Sequence, residues 1–440
     1  MMPKHSAIAL TGLVLSLAFP VLAQAGETLE DFFSAAILSS PRLQIAEERL
    51  KISSARKDVA TGGLLPQLNA NANLSNNRRD SFNQLQTFNG ERYSLQLSQV
   101  LFNWQAFSAR KQARFSEDQY EAEYYGELAS LLTEVAEKYF AVLQAVDAVN
   151  SAQSEVAAVS NQLAQIQSLY DRQLSQITDL YQAQASLAAA QGERLQLQSE
   201  LTILREALRS IGGISVGELF SLSDTAVVPT LENSINYWVG QAQQNNHQIQ
   251  AREYAVKAAE SGLAASRGAY MPRVSLIAQR QSTDLGFDNA PIFLTDNTYI
   301  GVDISIPLFA GGSNRARVRE ATSQQRIAEN ELRQVQLEAG ERVRAAYLQV
   351  QSGETLIAAA LQLVDSTALS STAMQRGFEL GTVTSVDVLN ALRDQFQAER
   401  ALQETRYEQV NAFLRLKREA GLLTADDMLE VSSWLEAPDA

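Results

Sequence analysis

No cysteine occurs in the chain, which excludes disulfide frameworks, thiolate metal sites, thiol nucleophiles and a lipid-bearing N-terminal cysteine. Histidine is nearly absent. His5 falls in the leader described below, leaving His247 with no second histidine and no marked nucleophile to activate. No glycine-rich phosphate loop precedes a strand–helix unit, and Ala310-Gly311-Gly312 reads as a strand-to-helix turn. The chain is therefore read as a non-enzyme with no cofactor and no metal. Positive charge is short as well: 36 Lys and Arg stand against 50 Asp and Glu, a net charge of −14, so nucleic acid is not an expected partner. Beyond residue 25 no apolar run approaches the length of a transmembrane helix. Only nine prolines and 22 glycines punctuate 440 residues, leaving long stretches of Ala, Leu, Gln, Glu and Arg, the composition of long helices.

The first residues carry an address. Lys4 and His5 make a short basic start, Ala7–Leu22 is apolar, and Ala23-Gln24-Ala25 offers a small-x-small cleavage site. Residues 1–25 are expected to be a signal peptide, with the mature chain beginning near Gly26.

What the chain has in abundance is repetition. "LLPQLNANANLS" answers "YMPRVSLIAQRQ", with Pro66 and Pro272 offset by 206 residues. Phe102 and Phe309 are offset by 207, and Tyr139 and Tyr347 by 208. "LGTVTSVDVLNA" at 380–391 is a bend entering a helix, with Gly381 free to take positive φ and Thr384 or Ser385 placed to cap. Asp387 falls in the first turn of that helix, and Asp179 in "RQLSQITDLYQA" is placed in the same way 208 residues earlier. The chain is a tandem duplication, and such units usually stack or assemble.

Two periodicities alternate in each half. Leu128, Val135, Val142, Val149, Val156, Leu163 and Tyr170 recur every seven residues, as do Val343, Val350, Ile357, Val364 and Phe378 with a break at Ser371. This predicts coiled-coil seams on helices about 100 Å long at ~1.5 Å per residue. Ahead of each long helix the period is two. Leu68, Ala70, Ala72 and Leu74 alternate with asparagines, Tyr93, Leu95 and Leu97 with Ser and Gln, and Ile300, Val302, Ile304 and Ile306 with Gly301, Asp303 and Ser305. About 9–10 residues of this pattern is the length of a transmembrane β-strand. Tyr93, Phe102, Trp104, Phe107, Tyr270, Tyr299 and Phe309 gather where an interfacial aromatic belt is wanted, and the polar stretches 76–92 and 283–298 read as loops.

The first repeat is expected over 26–230, with a helix, a strand pair at 67–76 and 92–101, and long helices at 104–170 and 179–211. The second is expected over 231–421, with a helix, a strand pair at 273–282 and 299–307 and long helices at 313–378 and 386–420; 422–440 form a tail. The fold class is an α+β membrane protein. Four strands cannot close a barrel alone and an open edge in lipid is forbidden, so copies of the chain must share one. A periplasmic coiled-coil scaffold with a small soluble sheet and no channel is the alternative that heptads alone leave open.

Leu65-Pro66, Met271-Pro272, "PLFAGG" (307–312), "ITD" (177–179) and "GFELGTVTSVDVLNA" (377–391) make the chain resemble the TolC family, the outer-membrane channels of efflux pumps and type I secretion systems. The resemblance covers essentially the whole mature chain. It implies a homotrimer with a 12-stranded barrel in outer-membrane lipid, continued by a helical periplasmic barrel with a belt at 212–246 and after Gly421. It implies partners too: a periplasmic adaptor (membrane fusion) protein and an inner-membrane pump or ABC transporter, with drugs or secreted protein as cargo. In the family two aspartates per chain narrow the periplasmic mouth; the first matches Asp387 and the second falls on Asn390. The Thr-Asp of a polar latch matches Thr178-Asp179, while its tyrosine and arginine fall on Phe378 and Val383, which can make neither hydrogen bond. The glycine of the first bend falls on Gln173. Thr178, Asp179, Phe378 and Gly381 would form the tip at which an adaptor docks. Asp179 and Asp387 also suit a plain helix-start role, and Phe378 and Tyr170 a seam.

Overall fold

The computed structural model of the protein describes residues 28–81, 84–223, 226, 228–284 and 294–437; the leader expected over 1–25 lies outside the described residues. Helix α1 (Leu29–Ser39) begins at a capping box between Thr28 and Asp31, and α2 (Pro41–Gly62) begins with Ser40 as cap and Pro41 at its first position. Strands β1 (Gln67–Ser81) and β2 (Gln84–Asn103) pair antiparallel, and Asn103 caps the 68-residue α3 (Trp104–Asp171). Helix α4 (Ile177–Gly212) returns and is followed by the short β3 (Ser221–Leu222). The second half repeats the order: α5 (Ile235–Asn245), α6 (His247–Gly268), β4 (Arg273–Asp284), β5 (Thr295–Ser305), α7 (Ser313–Glu379) and α8 (Ser385–Glu419). Helix α9 (Ala425–Ser432) and β6 (Leu435–Glu436) follow. The halves match almost residue for residue: α1 and α5 have 11 residues, α2 and α6 have 22, α3 and α7 have 68 and 67, and α4 and α8 have 36 and 35.

The four long strands form one antiparallel sheet in the order β1-β2-β4-β5, with an irregularity between Val100 and Phe102. Its register sorts the faces. Leu68, Leu97, Ala278 and Ile300 form one row, and Leu276 with Val302, then Phe102, Val274 and Ile304, continue that face toward the helices. Asn69, Gln96, Gln279 and Tyr299 form a row on the opposite face, next to Asn71, Ser94, Gln281 and Asn297. The apolar face is bare, with Ile300 73% and Ile304 63% exposed. A soluble one-sided sheet would cover it. Among the described residues both edges, β1 and β5, are unpaired.

Three expectations change here. The stretch 76–92 is not a loop: Asn76 pairs with Asn89, Arg78 with Thr87 and Asp80 with Leu85. Beyond a bilayer both faces of a strand meet water, so the ladder continues after apolar alternation has stopped. Likewise 283–284 and 295–298 are strand, while 285–293 lie outside the described residues. Tyr299, placed in the aromatic belt from sequence, stands on the polar face, its ring lying where a Cβ on Gly301 would project. Finally, one stretch of α7 does reach the length and apolar composition of a membrane-crossing helix; it belongs to the hairpin that α7 makes with α8.

The long helices pair as α3 with α4 and α7 with α8, and α8 also rests on α3 and α4. Val135, Val142, Val343 and Val350 are buried in the seams as the seven-residue beat requires. Farther along α3 the buried row is Ala152, Glu155, Val159, Gln162 and Ile166, while Val149 and Leu163 fall outside it. The seam has drifted because 3.6 residues per turn does not match a strict heptad and because α8 adds a second contact. Ser371, which breaks the apolar beat of α7, is buried nonetheless. Around the middle of the molecule β3 pairs with β6, Tyr139 donates its hydroxyl to the Phe220 carbonyl at 3.0 Å, and Phe32, Phe140, Leu414 and Val431 share one core.

Candidate functional site at the helical tip

The far end of the long helices is two bends. Residues 172–176 join α3 to α4, and residues 380–384 join α7 to α8. Each needs one residue in the left-handed region: Gln173 at φ 62° and Gly381 at φ 72°. Each closes its helix with the same backbone bond, Leu174 N–H to the Leu169 carbonyl and Thr382 N–H to the Gly377 carbonyl, both 2.8 Å. Glycine adopts this conformation freely, whereas glutamine meets Cβ strain of about 1–2 kcal/mol. Gln173→Gly is therefore expected to stabilise the chain by roughly 0.5–1 kcal/mol, after the entropy glycine adds to the unfolded chain. Thermal denaturation reads this, and a lowered Tm would show that Gln173 is held by contacts rather than strained.

The two bends diverge at their caps. Thr384 and Asp387 form a capping box: Asp387 N–H donates to Thr384 Oγ1 at 3.3 Å, and Thr384 N–H donates to Asp387 Oδ2 at 3.0 Å. The Thr384 hydroxyl donates to the same carboxylate at 2.6 Å. These hydrogen bonds hold the Asp387 carboxyl below its ordinary range. The sign follows: the cap is fully formed above the ordinary carboxylate pKa and is lost as pH falls through the lower folded value. Asp387 thus stays charged through neutral and mildly acidic conditions. Asp179 occupies the same third position of α4, but Gln176 makes no side-chain cap. Its carboxylate instead accepts from Ser175 Oγ at 3.1 Å, and Thr178 Oγ1 donates to Gln176 Oε1 at 3.3 Å.

Asp387 and Asn390 are both exposed, one turn apart on α8, while Val388, Leu389 and Leu392 are buried between them and the rest of the chain. Phe378 packs into two clusters, one holding Ile166, Leu180 and Leu389, the other Val388, Leu392 and Phe396. Val383 joins the second. The sequence-selected residues therefore divide. Thr178, Gly381, Asp387 and Asn390 are exposed at the bends, Asp179 is half-buried, and Phe378 serves the seam. Among the described residues no group of His, Asp and Glu is arranged to hold a metal ion.

Sequence reasoning missed a set of polar ties between α8 and α3. Arg415 Nε donates to Glu137 Oε1 at 2.6 Å, Tyr407 Oη to Asp147 Oδ2 at 2.7 Å, and Arg400 to Glu155 Oε2 at 3.0 Å. Burial, together with the Asp147 carboxylate, pushes the Tyr407 phenol above its ordinary value, so it stays a hydrogen-bond donor. The available signal was the placement of acids close to heptad positions, Asp147 two residues before Val149 and Glu155 next to Val156.

A sheet with one apolar face and two open edges, continued directly into two matched helical hairpins, defines a subunit of an outer-membrane channel. A family model described as outer membrane efflux protein matches residues 33–213 and again 238–422, one match in each half, and the chain belongs to that family. It is 28% identical over 419 residues to outer membrane protein TolC of Vibrio cholerae, spanning 93% of this chain and 94% of that protein. It is 25% identical over 415 residues to alkaline protease secretion protein AprF of Pseudomonas aeruginosa, spanning 91% and 85%. Among solved structures, CusC shares the fold with a TM-score of 0.80 at 20% identity, covering 90% of this chain and 92% of that one. VceC of Vibrio cholerae does so with 0.77 at 19% identity, covering 89% and 96%. Membership in this family places the protein in the Gram-negative outer membrane, and the periplasmic scaffold reading falls.

Proposed function

We propose that the protein is the outer-membrane exit duct of an efflux pump or type I secretion system, a passive homotrimeric channel opened by partners at its helical tip. One observation carries the reading: the bare apolar sheet face with both edges unpaired. In lipid those edges must pair, β5 of one copy with β1 of the next, and three copies give twelve strands.

The internal repeat supports the same closure in the helices. Within the chain α6 packs on α3, and a Cβ on Gly268 would lie 2.8 Å from the Gln105 nitrogen. Its counterpart in the first half, Gly62, faces open space. Ala251 and Ala258 of α6 are buried, whereas Ile45, Ile52 and Val59 form an exposed seven-residue row on α2. A row left so exposed in its own chain would be covered if α2 packs on α7 of the next copy as α6 packs on α3. Gly262 of α6 lies against Gln112 of α3. Shifted by 206 residues for α6 and by the 208 that relates Val135 to Val343 and Tyr139 to Tyr347 along α3, that contact becomes Arg56 against the neighbouring copy's Glu320, a pair of opposite charge.

At the mouth three copies would bring three Asp387 carboxylates together, with Asn390 diluting the field. Thr178, Asp179 and Gly381 would supply the tip for an adaptor, with Phe378 packed in the seams behind them, and an inner-membrane pump or ABC transporter would stand behind it. Single-channel recordings test the reading. Asp387→Asn should lower cation preference and weaken block by trivalent cations, more so at low salt, and Asn390→Asp should do the reverse. Unchanged selectivity would reduce Asp387 to a helix cap. Absence of any channel from the purified wild-type trimer would overturn the duct itself.

A further inference from the structure

The geometry points to Arg400 as a latch that ties the two helical hairpins of each chain together above the tip, so that the mouth widens only when it lets go. This rests on the exit-duct reading. Arg400 lies on α8 and reaches both long helices of the other half. Its guanidinium donates to Glu155 Oε2 on α3 and to Glu193 Oε1 on α4, each at 3.0 Å. The Arg400 side chain is 16% exposed and that of Glu155 only 6%, so the central pair is largely removed from water. Parting it strands a carboxylate in a largely buried place.

Its position gives the pair its role. Among the described residues, going down α8 toward the bend, the α8 side chains tied to α3 are Arg415 to Glu137, Tyr407 to Asp147 and then Arg400 to Glu155; one turn lower the Ser151 hydroxyl of α3 reaches only the backbone, the Phe396 carbonyl, at 3.4 Å. Below Arg400 the large α8 side chains buried in the tip clusters are Phe396, Leu392, Leu389 and Val388, all apolar. Apolar surfaces slide and re-pair with little directional preference, while a guanidinium bridging two carboxylates holds one geometry. The stretch free to swing is the one between Arg400 and Asp387, about 20 Å at ~1.5 Å per residue. Phe378 and Val383 pack into these clusters and supply no polar tie at the tip itself.

The duplication provides an internal control. Positions 208 residues away are Gly192 for Arg400, Leu363 for Glu155 and Ala401 for Glu193, and none of these can form an ion pair. Gly192 faces open space and Leu363 is 50% exposed, as surfaces awaiting a neighbouring copy would be. Around a ring of six hairpins this ionic tie therefore falls within each chain and has no equivalent between chains. The latch occurs once per chain.

Conductance of purified trimers in planar bilayers reads the latch. Arg400→Ala and Glu155→Gln are each expected to raise resting single-channel conductance severalfold. Glu193→Gln, which removes the more exposed carboxylate, should change it little. Arg400→Lys keeps the charge but bridges the two acids poorly, so it should fall between wild type and Arg400→Ala. Exchanging the charges with Arg400→Glu and Glu155→Arg in one chain should bring conductance back toward wild type, a rescue that mere packing damage would not show. Intact trimers of Arg400→Ala and Glu155→Gln with wild-type conductance overturn the latch, as does a rise that the exchange fails to reverse. If Arg400→Ala does not assemble, Arg400→Lys carries the test, and wild-type conductance in it overturns the proposal. A wild-type trimer that conducts throughout these measurements leaves the duct reading standing whatever becomes of Arg400.

Discussion

Ile52→Asp is expected to leave each chain folded and to abolish the trimer. Ile52 is 50% exposed in the chain and stands in one row with Ile45 and Val59, so its replacement disturbs little inside the subunit. In the proposed ring the same side chain is covered by α7 of the next copy. Losing its burial costs about 1.5–3 kcal/mol, and a carboxylate forced into that contact without a partner adds a further desolvation cost of a few kcal/mol. A closed ring bears the change three times, so the effects accumulate against assembly. Ala258→Asp is the matched control: Ala258 is 7% exposed within the chain, and that variant should destabilise the chain itself. Circular dichroism reports folding and mass measurement in detergent reports assembly. A normal trimer yield for Ile52→Asp would show that α2 faces something other than a second copy.

Val302→Arg should block insertion into the outer membrane while Asp303→Arg should not. The two residues are neighbours on β5, yet the register puts Val302 beside Leu276 on the apolar face and Asp303 beside Ser275 on the opposite face. Arginine facing lipid costs roughly 2–4 kcal/mol at the bilayer midplane and about 0–1 kcal/mol near its boundary. An inner-face arginine meets water and should alter only ion selectivity. The fraction retained in the outer membrane after carbonate washing separates the outcomes. Equal retention of the two variants would mean that the apolar face does not meet lipid.

The parts legible in the sequence were those that obey one periodicity for a single reason. The alternation of Leu95, Leu97, Ile300 and Val302 betrays a two-sided environment, and the beat that starts at Leu128 is carried by residues such as Val135 and Val142 that serve one seam. Legibility failed where two demands overlapped. Residues 77–81 and 84–91 continue the ladder in a setting where neither face selects apolar side chains, so strand looked like loop. Gln173 adopts the left-handed conformation that a glycine would have announced. Glu155 is buried because an arginine 245 residues away arrives to meet it, and no local pattern carries that information. At the tip, Asp387 and Thr384 were readable as a cap because both partners lie within one turn.

The near-identity of the two halves in helix length has a cost for change. Helices α3 and α4 descend and return over 68 and 36 residues, and α7 and α8 over 67 and 35. In the proposed trimer six hairpins of common length would present a level rim. Inserting one heptad into α3 and α4 alone would make three of them protrude by about 10 Å at ~1.5 Å per residue, and the rim would become a crown of alternating tall and short points. No flat partner could seat on it. Lengthening the tube to cross a wider periplasm therefore requires four coordinated insertions, one in each long helix, and single insertions or deletions in any of them should be far less tolerated than equal changes made in step.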